Sequence, residues 1–372
     1  MKNFFFRPEY VGQFKCDGSK CDAKCCTRPW NVAVDEQTRE KFLRLGERKI
    51  LDHIKFHAGK NQYLIARPCP FLSPEKLCRL QLEHGENFLP LTCRTYPRVT
   101  RRLGEIFEQS LVLTCPVAAE KILFAEEPMK FEFVHVPEKI FSVTPPELPE
   151  KFLPHAVDIQ IALISILQER TLSIDGRLIV LGFFFDKLDE IFALNPNEDA
   201  LTKLLAAYES KKFFASTVPR MLASVNFSEK NFLRLILTVL DEIYGESARG
   251  RHLEAVIANY ENLRGERKIF RAKYAAFLEN FLVNEIFLNC YPWRFTETIA
   301  DNFAVFVTTY KIFELMMFAT TRAGFGGKSD LLRFVDWFTV QTDHAPNFYE
   351  KIFRHAKKIG GTFALLETLL EN

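Results

Sequence analysis

The sequence predicts a mainly α protein: a cysteine-rich N-terminal domain of loops and short helices, packed on an irregular helical bundle. Three observations carry that reading. Eight of the nine cysteines lie between residues 16 and 115, and Cys290 alone lies beyond them. The same third of the chain is dense in turn signals, as in RPCPFLSPEKLC and LPLTCRTYPR. From about residue 155 onward, apolar residues recur at helical spacing, as in AVDIQIALISILQER, EKNFLRLILTVLDEIY, AKYAAFLENFLVNEIFLN and KSDLLRFVDWFTVQ. The expected division is therefore residues 1–130 (cysteine-rich domain), 131–150 (linker) and 151–372 (helical domain).

The elements follow in order. MKNFFFRPEY begins with a short apolar run that Arg7, Pro8 and Glu9 stop well short of a signal peptide. DEQTREKFLRLGERKILDHIKF reads as one helix with Asp35 as its N-cap. That helix would carry His53 and His57 four residues apart on an exposed face. Pro116 opens a short helix through VAAEKILFAEE. FEFVHVPEKIFSVTPPELPE alternates and then turns proline-rich, as a short strand or extended linker would. In the most apolar stretch, FAVFVTTYKIFELMMFATT, Lys311 and Glu314 sit mid-run and argue against a membrane span.

Forty-nine basic and 47 acidic residues give a net charge of +2, too balanced for nucleic acid as the main partner. With no leader or span in view, a cytoplasmic protein is expected, and thiols there stay reduced. Clustered cysteines then point to metal binding or catalysis more than to disulfides. The spacing runs C-x4-C-x3-CC over Cys16, Cys21, Cys25 and Cys26, followed by Cys69, Cys78, Cys93 and Cys115. Thiolates are soft ligands that suit zinc or iron–sulfur clusters. No paired CxxC knuckles of a zinc ribbon are present. The position that would complete a radical-type Cys triad after Cys21 and Cys25 is Arg28. Eight thiols exceed what one tetrahedral ion or one four-iron cluster uses, so spacing alone leaves the ligand set open.

CDAKCC at 21–26, CPFLSPEKLCRL at 69–80 and LPLTCRTYPR at 89–98 resemble, in that order, the YkgJ-like family of cysteine-rich zinc- or iron-chelating proteins. With PEYVGQFKCDGSKCDAKCCTRPWNVAVDEQT near the start and ENFLVNEIF at 279–287, the chain as a whole resembles the flagellin lysine-N-methylase family (FliB). The resemblance implies methyl transfer from S-adenosylmethionine (SAM) to lysine side chains of flagellin. It also implies a cysteine-bound [4Fe-4S] centre, zinc being the alternative metal.

A conventional SAM site is not visible, because no strand leads through a GxGxG-type loop into a helix. The glycine-rich AGFGGKSD at 323–330 follows a helical run and reads as a helix C-cap and turn. SAM could instead meet an open iron of a cluster through its amino and carboxylate groups. Arg94 and Arg98, beside Cys93, could hold that carboxylate or offset a cluster's charge. Arg101 and Arg102 read as a solvated basic loop. Tyr96 is a candidate for positioning or deprotonating the substrate amine. Glu285 falls inside an apolar helix stripe with Tyr274, Phe277, Leu278, Phe281 and Leu288, and Asn280 and Asn284 flank it as candidate cofactor contacts. A lysine must lose its proton before it can be methylated, and Glu285 is the leading candidate base. A non-catalytic zinc- or iron-binding protein and an iron–sulfur redox protein are the competing readings.

Overall fold

Three consecutive phenylalanines open a strand of a β-sheet. The computed structural model describes residues 4–16, 18, 21–135, 143–144, 150–194, 197–245, 250–344 and 347–371. They form two compact units, Met1–Lys121 with Lys130–Pro145, and Ile122–Met129 with Pro146–Asn372. The architecture is mainly α, as expected, but the first unit contains two sheets that the sequence did not announce.

The strands of the first unit are β1 (Phe4–Pro8), β2 (Val32–Val34), β3 (Ile54–His57), β4 (Gln62–Ile65), β5 (Arg98–Leu103), β6 (Ile106–Leu111), β7 (Phe131–His135) and β8 (Val143–Thr144). A five-stranded sheet has the order β7-β1-β6-β5-β8, and a three-stranded one β2-β4-β3. β1 runs parallel to β6, with Phe5 opposite Phe107, and antiparallel to β7. The expected linker is thereby corrected at its start: Phe131–His135 pairs along the whole of β1. Residues 136–142 and 145–149 of that stretch lie outside the described residues. Ile122–Met129, placed by sequence with the cysteines, belongs to the helical unit.

Two local readings also change. RVTRRL and IFEQSL form a β5–β6 hairpin turning at Gly104, whose φ of +58° favours glycine. Arg101 pairs in register with Glu108 and is only 7% exposed, so it is not part of a solvated loop, whereas Arg102 stays on the surface. The helix expected over 35–56 starts where predicted. Asp35 Oδ1 accepts from the Thr38 amide at 3.0 Å. The helix stops after Leu45, because Gly46 adopts φ +68° at its C-cap. A single turn, Arg48–Leu51, and then β3 follow. His53 and His57 thus share no helix face: the first sits in a turn and the second ends a strand.

In the second unit the helix Ile299–Arg322 is the axis, buried almost continuously from Asn302 to Ala319. It is long and apolar enough to cross a membrane by length and composition, yet it is the core helix of this unit. Ile174–Leu194, Phe348–Ala356, Thr362–Leu369, Gly250–Ala258 and Lys328–His344 pack around it. Phe281 of the helix Ala275–Leu288 stacks on Phe313 with centroids 3.8 Å apart. At 323–330 the glycines do what a cap requires. Gly324 (φ +93°) closes the helix, the Phe325 amide returns to Thr320 O, and Asp330 accepts from the Gly327 amide to start the next helix.

Gly182 marks the tightest crossing in this unit. A Cβ there would meet Leu366 Cδ2 at 2.8 Å and Phe303 Cζ at 2.9 Å. Gly182→Ala is expected to lower the unfolding free energy by about 1–3 kcal/mol through overpacking, despite alanine's better helix propensity. Denaturant titration of the two proteins checks this, and an unchanged or higher midpoint would contradict it.

Candidate functional site

The CDAKCC segment turns on Ala23, which adopts the left-handed region (φ 50°) and starts the single turn Lys24–Thr27. That turn places Cys25 and Cys26 side by side, with sulfurs 3.8 Å apart. Cys69 follows β4, Cys78 caps the short helix Arg79–His84, and Cys93 lies in Leu91–Thr95. The Cβ sides of Cys69, Cys78 and Cys93 rest on the apolar cluster built from Val32, Phe42, Ile65, Phe71 and Leu80. Asp35 joins these parts: its Oδ2 accepts from the Leu91 amide at 2.6 Å, tying the helix of Cys93 to the helix that Asp35 caps.

The eight thiols fall into two groups. Cys26 shares a hydrogen bond with Cys25, and Cys69 and Cys78 act on it as well. Cys93 responds to Cys26, Cys78 and Cys69. The second group is Cys115 with Cys21 and Cys16 as its sulfur neighbours. All eight are free thiols, Cys16 exposed, Cys115 buried and the rest half-buried. The hydrogen bond from Cys25 pushes the Cys26 thiol up to about 12, and burial, then neighbouring sulfurs, pushes Cys93 up to about 12. Several soft donors facing one another are poor company for additional negative charge unless a cation joins them. The donor set therefore fits a thiolate-bound metal group.

Arg67 braces this group from behind. Its Nη1 and Nη2 donate to the carbonyls of Cys26 (2.7 Å) and Cys25 (2.9 Å), and its Nε to that of Trp30 (2.7 Å). Nothing in the sequence singled it out beyond its place in RPC, two residues before Cys69. The Arg94 Nε is buried without a hydrogen-bond partner. Arg98 donates to Phe14 O at 2.8 Å and lies over the Phe14 ring, fixing the segment that leads to Cys16. Tyr96 shares a hydrogen bond with Thr114 at 3.2 Å, and burial pushes its hydroxyl up, so at neutral pH it is neutral. Cys115 and Cys25, one from each thiol group, both act on it electrostatically.

Among the described residues, one trio of potential ligand atoms lies mutually within 4.8 Å: Glu47, Glu83 and His84. Lys49 already supplies its cation, at 3.1 Å from Glu47 and 2.6 Å from Glu83.

In the helical unit, Ala275–Leu288 is buried on every side from Phe277 to Leu288, not along one stripe. Glu285, 8% exposed, accepts from Asn289 Nδ2 at 2.8 Å, and Arg294 donates to Asn289 Oδ1 at 2.6 Å. Asn280 Nδ2 donates to Ala125 O at 2.7 Å. Asn284 is fully buried one turn further along. Arg94, Arg98 and Tyr96 belong to the first unit and Glu285, Asn280 and Asn284 to the second.

Comparison with known proteins decides the family. The profile of the FliB lysine N-methylase C-terminal domain matches residues 160–370. The chain belongs to the FliB lysine N-methylase family. Two similar proteins are named Lysine-N-methylase, from Salmonella typhimurium and Salmonella choleraesuis. Each is 30% identical over 149 residues, covering 37% of this chain and 37% of the relative. Flagellar biosynthetic protein FliU of Salmonella muenchen is 32% identical over 127 residues, 31% of this chain and 75% of that one. The matched stretch thus spans little more than a third of the length of the two lysine-N-methylases. No solved structure matches the chain.

The FliB domain match lies wholly inside the helical unit and covers Glu285, Asn280 and Asn284. The thiol groups lie outside it, and their reading rests on their own geometry. Within the FliB domain the sequence also concealed two buried ion clusters. Glu279 receives Arg177 at 2.7 Å and Arg170 at 2.9 Å. Lys311 sits 3.2 Å from Asp175 and 2.6 Å from Glu314. Lys311 and Glu314 were legible only as charges that break an apolar run.

Proposed function

We propose that this chain transfers methyl groups from SAM to lysine side chains of flagellin, with a [4Fe-4S] group held by Cys26, Cys69, Cys78 and Cys93. The observation that carries the first part is the family match across residues 160–370, together with relatives named for lysine methylation and for the flagellum. The metal part is supported by the thiol geometry. A tetrahedral zinc with bonds of about 2.3 Å needs its sulfurs about 3.8 Å apart. Cys25 and Cys26 meet that spacing as a pair, but among the described residues no three thiols lie mutually within 4.8 Å. What favours the iron–sulfur cluster over the zinc alternative is the resemblance of the cysteine-bearing segments, not their spacing.

Bound there, such a group would supply redox or Lewis-acid chemistry. The protein's own residues do the rest. Arg67 orients the Cys25–Cys26 turn, and Arg94, with an unused buried donor, offsets the charge of thiolates gathered nearby. Tyr96 offers a hydrogen bond between the two thiol groups. In the helical unit, Glu285 is the acceptor proposed for the lysine proton, held in orientation by Asn289 and, through it, by Arg294. Cys16, Cys21 and Cys115 are left as a separate set, available to a second centre.

The test is incubation of purified flagellin with the protein and SAM carrying a labelled methyl group. Labelled Nε-methyllysine in the digest is expected, and none would overturn the reading. Glu285→Gln is expected to lower kcat by about 10²-fold, the usual scale of a lost general base, with metal content unchanged. Unaltered turnover would remove Glu285 from the reaction.

A further inference from the structure

The helical unit holds a groove of about 470 Å³ that is lined by none of the residues to which the proposed function gives a role. The helices Gly250–Ala258, Ile299–Arg322 and Lys328–His344 wall it, within the stretch that matches the FliB domain. Met316 and Phe334 supply buried or nearly buried apolar wall, while Phe325 and Trp337 remain 52% and 40% exposed. Large rings left in water around a concavity mark a binding surface more than a packing accident. Asp330 and Arg333 also line the groove, paired with each other, and Asp330 additionally accepts from the Gly327 amide at 3.3 Å. The Arg333 side chain is 73% exposed and that of Asp330 22%. So exposed a pair contributes little and opens readily to a better partner.

We propose that this groove binds an adenosyl amino acid, the methyl donor and its product, a proposal that rests on the methylase reading. Each feature has a counterpart in that ligand. Flat aromatic rings left in water at Trp337 and Phe325 suit a purine. The Asp330 carboxylate suits the ribose hydroxyls, and the Arg333 fork suits the amino-acid carboxylate. An aromatic face also suits a sulfonium cation. Volume separates this ligand from the other candidate, a substrate lysine. Pockets of roughly 300–1,000 Å³ hold drug-sized molecules, and one lysine side chain would fill only a small part of such a space. This placement also removes the need for a glycine loop after a strand, the feature whose absence left SAM without a site.

The experiment is calorimetric titration of the full chain with S-adenosylhomocysteine, using wild type, Trp337→Leu and Arg333→Gln. Binding at one per chain is expected in wild type, weakened at least tenfold in each variant at an unchanged unfolding midpoint. Arg333 is so exposed that its replacement leaves the packing intact. Equal affinity in all three proteins, with flagellin still methylated, would overturn the groove and leave the methylase reading standing. Absence of both binding and methylation in wild type would overturn both. A lysine peptide that binds wild type and is lost in Trp337→Leu, while S-adenosylhomocysteine binding is unaffected, would overturn the ligand class.

Discussion

Cys26→Ser is expected to strip the proposed iron–sulfur group from the N-terminal unit and to abolish the proposed methyl transfer. Cys26 is the hub of the first thiol group: it is hydrogen-bonded to Cys25, Cys69 and Cys78 act on it, and it acts on Cys93. Serine keeps the size but offers a hard, protonated oxygen in place of a soft thiolate. Loss of outer partners alone typically lowers metal affinity by about 10–100-fold, and loss of a ligand does more. Cys69→Ser should follow Cys26→Ser, whereas Cys25→Ser and Arg67→Leu should fall in the range of about 10–100-fold, because each supports the Cys25–Cys26 turn from outside the proposed ligand set. Cys290→Ser is the control. That thiol is buried in the helical unit and accepts from Gln160 at 3.9 Å. Metal analysis of the purified variants reads the result, and full metal content in Cys26→Ser would remove that residue from the ligand set.

Lys311→Met is expected to cost about 3–5 kcal/mol of stability in the helical unit. Lys311, Arg271, Arg267 and, at the surface, Arg264 face Asp175, Glu314 and Glu371, four cations against three carboxylates. The Glu371 amide also donates to Asp175 at 3.0 Å. Burial alone would push the Glu314 carboxyl up, but Arg271 and Lys311 outweigh it and hold it at about 2. A folded-state value below the ordinary value of about 4.3 means that the stabilisation is complete above that value and fades as pH falls through about 2. Removing Lys311 leaves the two buried carboxylates Asp175 and Glu314 to share Arg271. The deficit should therefore be largest at neutral pH and shrink on acidification. Denaturant unfolding of both proteins at several pH values checks this. A difference under about 1 kcal/mol at pH 7, or one that grows in acid, would contradict it.

The helical half was largely legible because its cues are local. Glu229–Tyr244 and Lys328–His344 fall where apolar spacing put them, and Ser228, like Asp35, caps its helix through its side chain. The sheets were hidden for identifiable reasons. Phe4–Pro8 becomes a strand only because β6 and β7, about a hundred residues away, flank it. Arg98–Leu103 carries four charged or polar residues in six, and its burial is set by the partner strand. Gly46 needed to be read as a stop, and the helix was carried through it. The thiols were visible as a set, but their division into two groups depends on folding that spacing does not encode. Glu279 and Lys311 show the same limit, since Arg177, which pairs with the first, and Asp175, which pairs with the second, come from another helix.

The most direct test is the iron and acid-labile sulfide content of the chain isolated without oxygen. Iron and sulfide in equal amounts, with a brown absorption lost in Cys26→Ser, is the predicted result. A colourless protein carrying zinc and no sulfide would contradict it.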